Sequence, residues 1–235
     1  MVIEKISKIY KMLMIGIDDA GRGPVIGPMV LAGCLIDQDT AAEFKKIGIR
    51  DSKQLTQKRR EFFETVIKEK AIDFKVILIQ PEEIDKKNAE GIKLNELEAI
   101  ASAEIIDWLN KNKKGKEKIK VILDCPSTSI KKWEDFLKMQ IDNLSNLEIV
   151  CEHKADRNHV VVSAASVLAK AERERQMSSL KRKFGDEIGS GYTSDPTTQT
   201  FVAKHAKNPK HKTLFRKTWK TWKSASDNSE QKRLF

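Results

Sequence analysis

The chain has 235 residues, 40% of them hydrophobic and 33% charged. That balance supports a packed core and excludes a largely disordered polymer. Lys and Arg outnumber Asp and Glu by 44 to 34, a net charge of +10 that suits a polyanionic partner, nucleic acid first among them.

The positive charge is concentrated at one end. Residues 201–235 hold ten Lys or Arg and two acids, so most of the excess lies there and the rest of the chain is only slightly basic. This pattern suggests a core comprising residues 1–195, followed by a basic helical extension over 196–235 whose end is disordered. Cys34, Cys125 and Cys151 are few, scattered and odd in number, which argues against a disulfide framework or a structural zinc site and favours a reducing, cytoplasmic setting. No apolar run is long enough to span a bilayer, and the N-terminal stretch lacks the apolar core of a signal peptide.

In chain order, residues 12–18 read as an apolar strand that stops at two acids. The Gly/Pro-rich GRGPVIG marks a turn before a second strand over 28–36. Thr56 caps a predicted helix to about Lys70, and 74–79 forms a third strand. A helix over 94–109 and a basic loop lead to a fourth strand at 119–123. A helix over 130–143, a fifth strand at 147–151 and a long helix over 160–183 follow. Helical pieces complete the chain, with 224–231 expected to be disordered. The order predicts an α/β fold with a mixed sheet flanked by helices on both faces.

Acids fall where strands stop. Asp18 and Asp19 end the first strand, and Asp124 ends the fourth directly after VIL. A carboxylate there sits at a sheet edge, where clefts open in α/β folds, and several together repel unless a divalent cation neutralises them. An oxygen-only donor set suits Mg²⁺ or Mn²⁺ rather than zinc. The alternative is that each acid is a plain turn residue. Asp156, just before the long helix, fits either a fourth carboxylate of such a cluster or a simple acid at a helix N-terminus. Gly21, Arg22 and Gly23 follow the acid pair at once, and glycines on both sides of an arginine let backbone approach a ligand closely. Lys204, Lys207, Lys210, Lys212 and Arg216 are candidates to grip a phosphate backbone. Trp219 and Trp222 are better read as core anchors than as stacking platforms. His153, His159, His205 and His211 lack metal-ligand spacing, and Cys125 lacks the paired histidine of a thiol nucleophile.

IGIDDAGRGPVIGPMV, RDSKQLT, VILDCP, HKADRNHVVVSAASVLAK and GSGYTSDP, in this order and spacing, resemble ribonuclease HII, the type 2 ribonuclease H family, in its archaeal form. The resemblance implies a ribonuclease H-like fold with a mixed five-stranded sheet. It implies an endonuclease that hydrolyses RNA in RNA–DNA hybrids and cuts at single ribonucleotides in duplex DNA, leaving 5′-phosphate and 3′-OH ends. The four active-site acids of the family correspond to Asp18, Asp19, Asp124 and Asp156, which would hold two Mn²⁺ or Mg²⁺ ions with substrate. Gly21, Arg22 and Gly23, together with Tyr192, correspond to the elements that read the ribose 2′-OH and the step to the next deoxynucleotide, and Lys53 corresponds to a phosphate contact. The family pattern is Asp-Glu-Ala-Gly-Arg-Gly, so Asp19 stands where the family has glutamate. The terminal Gln231, Lys232, Arg233, Leu234 and Phe235 resemble the front of a sliding-clamp-binding peptide. A monomer is expected.

Overall fold

The computed structural model describes residues 12–49, 55–111 and 117–231. Five strands, β1 (Leu13–Ala20), β2 (Met29–Ile36), β3 (Asp73–Ile79), β4 (Ile119–Asp124) and β5 (Leu147–Glu152), form one sheet in the order β3-β2-β1-β4-β5. β1 pairs with β4 in parallel, and β4 with β5 likewise, so Val121 lies between Ile15 and Ile149. The link 21–28 between β1 and β2 is too short for the crossover a parallel pair requires, which makes this pair antiparallel and the sheet mixed.

The helices are α1 (Gln38–Ile47), α2 (Gln57–Lys70), α3 (Pro81–Ala89), α4 (Leu94–Lys111), α5 (Ile130–Met139), α6 (Ala155–Asn158), α7 (Val160–Phe184), α8 (Pro196–His205) and α9 (Lys220–Gln231). Two glycines show how both faces of the sheet are covered. A methyl group on Gly16 would fall on the backbone at the start of α7, 2.5 Å from the Val162 nitrogen. A methyl group on Gly33 would meet Ile105 and Leu109 of α4, on the side towards Ile17. Because Gly16 and Ile17 point to opposite faces of β1, α7 and α4 cover opposite faces of the sheet. All eight residues of β2 are accordingly buried.

Thr56 caps α2 as the sequence predicts, its side chain accepting from the Arg59 N–H at 3.3 Å. Four elements depart from expectation. α1 and α3 were not anticipated. The first is mostly polar and buries only Phe44, while the second carries its signal in Pro81 at the first turn with Glu82 and Glu83 behind it. α5 stops at Met139 rather than near 143, because Ile141 turns inward and the Asp142 N–H goes to the Asp107 carboxylate at 3.2 Å. The stretch 224–231, expected to be disordered, is helical: Trp219, Trp222 and Ala225 form a three-residue-spaced stripe packed on an apolar cluster.

The chain divides into two compact units. One comprises Met1–Asp19, Leu31–Ile77 and Glu98–Ala171, and the other Ala20–Val30, Leu78–Leu97 and Glu172–Phe235. The core of the second unit is built from Val25, Ile26, Ile188, Phe201, Val202 and Phe215, so the loop after β1 and the basic C-terminal segment share one apolar centre.

Candidate active site

The acids belong to the first unit. The β1–β4 ladder pairs Gly16 with Ile122 and Ile17 with Leu123, so the next step of the register brings Asp18 alongside Asp124. Neighbouring strands lie about 4.8 Å apart, and both carboxylates project on the Gly16 face, under α7. Asp18 is only 6% exposed. Burial first, and then the Asp19 carboxylate, push its pKa up to about 8. The Ser166 hydroxyl and the Lys170 ammonium oppose the rise, and Asp124 adds to it. The Asp19 N–H donates to Asp18 Oδ1 at 2.8 Å, which fixes the rotamer of the buried acid.

Asp156 lies in the turn that Asp124 holds. The Ala155 N–H donates to Asp124 Oδ1 at 3.2 Å, and Ala155 opens the single turn of α6 that carries Asp156. The preceding Lys154 has φ 60°, which among the described residues makes it the only non-glycine with positive φ. Such strain persists only where surrounding structure enforces it. Ser163 Oγ donates to the Asp156 carbonyl at 2.5 Å, while Asp156 Oδ1 is buried without a hydrogen-bond partner.

Sequence reasoning missed Ser166 and Lys170. Ser166 is fully buried on α7, and Lys170 Nζ donates to Ser166 Oγ at 2.8 Å, one helical turn on. Their signal was present in SAASVLAK: two polar residues four apart on an otherwise apolar, alanine-rich face.

The donor set fits a hard divalent cation. It offers oxygen only, it holds Asp18 against its own repulsion, and it buries one Asp156 oxygen that nothing satisfies. Among the described residues no group of three or more His, Cys, Asp or Glu side chains forms a ready-made cage. An ion such as Mg²⁺ does not need one, since it keeps waters and uses one or two carboxylates plus substrate phosphate.

The expected substrate-reading residues belong to the second unit. Gly21 has φ 79°, and a methyl group there would meet the Arg173 side chain and sit 3.0 Å from the Pro28 carbonyl. Arg22 Nη2 donates to Asn95 Oδ1, and Gly23 is exposed, with open space where a methyl would lie. Tyr192 is 42% exposed, with the Arg173 guanidinium 4.8 Å from its ring centroid. Its turn is held by Asp195, which accepts from the Ser190 N–H and hydroxyl at 2.7 Å each and from the Thr197 N–H at 2.9 Å. These bonds keep the Asp195 carboxyl well below the usual carboxylate range. Lys53 and residues 232–235 lie outside the described residues.

Lys204, Lys207, Lys210 and Lys212 are exposed, as phosphate contacts require. Arg216 is not: it is fully buried, its guanidinium bonded to the loop after β1, and it is withdrawn from the phosphate-gripping set. The histidines have structural surroundings. His153 Nδ1 lies 3.0 Å from the Cys125 carbonyl, His159 Nε2 lies 3.0 Å from Glu152, and His205 and His211 pack on Phe201. The three cysteines are free and buried. Burial pushes the Cys34 and Cys151 thiols up to about 12 and raises that of Cys125, which disfavours the thiolate form at each.

No helix of the described residues is long and apolar enough to cross a membrane. Ribonuclease HII is the family whose model matches, over residues 15–222. The ribonuclease HII of Methanocaldococcus jannaschii is 40% identical over 232 residues, covering 95% of this chain and 99% of that protein. Among solved structures, ribonuclease H2 from Pyrococcus horikoshii OT3 is similar at a TM-score of 0.79 and 32% identity, covering 92% of this chain and 98% of that one. The PCNA:RNase HII complex from Archaeoglobus fulgidus is similar at 0.76 and 35%, covering 89% and 96%. Bst-RNase HIII in complex with Mn²⁺ shares the fold, at 0.79 and 20% identity over 96% of this chain and 72% of that one. With Asp18 near the end of β1 beside Asp124 at the end of β4, and with relatives matched over nearly their whole length, the chain belongs to the ribonuclease HII family.

Proposed function

We propose that this protein is a metal-dependent endoribonuclease that hydrolyses RNA in RNA–DNA hybrids and cuts at single ribonucleotides in duplex DNA, leaving 5′-phosphate and 3′-OH ends. The observation that carries this reading is the side-by-side register of Asp18 and Asp124, with the Asp18 carboxyl pushed up by burial first and then by its acidic neighbours.

Asp18 and Asp124 are the central metal ligands in this reading, with Asp19 and Asp156 completing the set. Mn²⁺ or Mg²⁺ bound there would supply Lewis-acid stabilisation of the phosphoryl oxygens and activation of the attacking water. Ser166 and Lys170 hold the Asp18 carboxylate in one orientation. Bst-RNase HIII with Mn²⁺ supports the choice of ion. Specificity for RNA requires a contact to the 2′-OH, the local group that separates ribose from deoxyribose. We assign it to the backbone of Gly21, Arg22 and Gly23, where the exposed Gly23 leaves room for close approach, with the exposed Tyr192 packing on the sugar. Lys204, Lys207, Lys210 and Lys212 add a salt-sensitive grip on the duplex backbone, and Lys53 a further phosphate contact.

The substrate is accordingly an RNA–DNA hybrid or a ribonucleotide-bearing duplex, handled by a monomer in the cytoplasm, a setting that three free thiols suit. The segment from Gln231 to Phe235 is proposed as a sliding-clamp contact, supported by the PCNA complex of the Archaeoglobus relative.

The deciding experiment incubates the protein with a labelled duplex carrying one ribonucleotide, an all-DNA duplex and an RNA–DNA hybrid, each with Mn²⁺, Mg²⁺ or chelator. Metal-dependent cutting of the first and third alone is expected. Cutting of the all-DNA duplex at a comparable rate, or products that persist with chelator, would overturn the reading.

A further inference from the structure

Loop 21–27 is held from one side by two residues almost two hundred positions later. Arg216 Nη2 donates to the Gly21 carbonyl at 2.7 Å, Nη1 to the Arg22 carbonyl at 2.9 Å, and Nε and Nη2 to the Gly27 carbonyl at 3.0 and 2.9 Å. The Arg216 N–H takes the Val25 carbonyl at 2.9 Å. Trp219 Nε1 takes the Gly23 carbonyl at 2.9 Å, and its ring stacks on the same guanidinium, 5.0 Å from centroid to Cζ. All three carbonyls of the Gly21-Arg22-Gly23 element are therefore occupied by one fully buried arginine and its stacked tryptophan.

In a trans peptide the carbonyl oxygen and the amide hydrogen lie on opposite sides of the bond, and no peptide bond among the described residues is cis. A guanidinium that holds the Gly21 and Arg22 carbonyls thus turns the next two N–H groups, of Arg22 and Gly23, away from itself. Arg216 is inside the protein and Gly23 is exposed, so away from Arg216 means towards solvent. Arginine suits the task because its planar fork spans several acceptors at once, which the point charge of lysine cannot do.

We infer that Arg216, with Trp219, is the positioning element that aims the backbone N–H groups of Arg22 and Gly23 at the ribose, and so sets discrimination between ribonucleotide and deoxyribonucleotide. The role rests on the ribose reading proposed above. It makes the C-terminal segment a determinant of specificity as well as an electrostatic contact.

The test compares wild type, Trp219→Phe and Arg216→Lys on the single-ribonucleotide duplex and the all-DNA duplex, with thermal unfolding recorded for each. Trp219→Phe keeps the stacking ring and deletes one donor. It is expected to lower kcat on the ribonucleotide duplex about tenfold and leave affinity for the all-DNA duplex within about twofold. Arg216→Lys is expected to lower kcat about a hundredfold, as for a misplacement near 1 Å, and to blur the choice of cleavage position. Variants that melt lower yet keep wild-type kcat and site choice would reduce Arg216 to a structural residue and overturn the inference. If Arg216→Lys fails to fold, Trp219→Phe alone decides by the same criterion. A wild type that shows no preference for the ribonucleotide strikes the ribose reading itself, an outcome distinct from unaltered variants of a selective enzyme.

Discussion

The Ala155 N–H bonds Asp124 Oδ1 at 3.2 Å, so the acid that ends β4 also holds the turn that carries Asp156. One residue therefore has two separable jobs. Asp124→Asn keeps an acceptor oxygen and loses the charge. Its melting temperature should stay near wild type while hydrolysis falls roughly 10²–10³-fold. Asp124→Ala loses both, and should add a stability loss of about 1 kcal/mol, the usual worth of such a capping bond. Thermal unfolding beside turnover separates the two effects. Equal melting of Asn and Ala variants would show that the bond to Ala155 does nothing.

Asp18 shows the cost of gathering carboxylates. Its pKa is raised, so at pH 8 without metal its ionised form is disfavoured in the folded state relative to the unfolded chain. Asp18→Asn removes the charge and keeps the shape. The variant should be inactive, yet more stable than wild type in chelator, by on the order of 1–3 kcal/mol. Added Mn²⁺ should raise the melting temperature of wild type and barely move that of Asp18→Asn. A variant less stable than wild type in chelator would mean that the Asp18 charge is satisfied by other means.

The acids were legible because a strand-ending carboxylate is a local pattern: the apolar runs before Asp18 and Asp124 announce where each will sit. Arg216 was not legible for the opposite reason. In sequence it is one cation among many in a basic stretch, and its burial depends on carbonyls almost two hundred residues away. The division into two units was hidden in the same way, since each collects three separate stretches of chain and no composition shift marks them. Gly16 lies between these cases. A glycine inside an apolar strand signals close approach of another backbone, but only the structure identifies that backbone as the start of α7.

Asp19 stands where the family pattern has glutamate. Its N–H already serves Asp18 Oδ1 at 2.8 Å, so its backbone position is fixed and any reach to an ion depends on side-chain length. Asp falls short of Glu by one C–C bond, about 1.5 Å. Mg²⁺ demands near-ideal octahedral geometry, so the shorter carboxylate should favour the more adaptable Mn²⁺. Asp19→Glu is expected to raise activity with Mg²⁺ severalfold and change activity with Mn²⁺ little. Metal titrations of both proteins give the ratio. An equal Mg²⁺ dependence in the two would sink this account of the substitution.

Asp195 provides a pH test away from the acid cluster. It accepts from Ser190, Thr197 and Thr198, and the Asp195 N–H returns to the Tyr192 carbonyl at 3.1 Å, so this carboxylate organises the turn that presents Tyr192. Its folded pKa is depressed, so its contribution to stability is fully present above the ordinary carboxylate range. That contribution is lost as pH falls through that range towards the folded value. Asp195→Ala should therefore melt below wild type at pH 7, and the gap should narrow as pH drops below about 4. The variant should also raise KM for the ribonucleotide duplex more than it lowers kcat, because the tyrosine is misplaced while the four acids are untouched. A gap in melting temperature that stays constant from pH 7 to pH 3 would mean that the carboxylate charge is not what holds the turn.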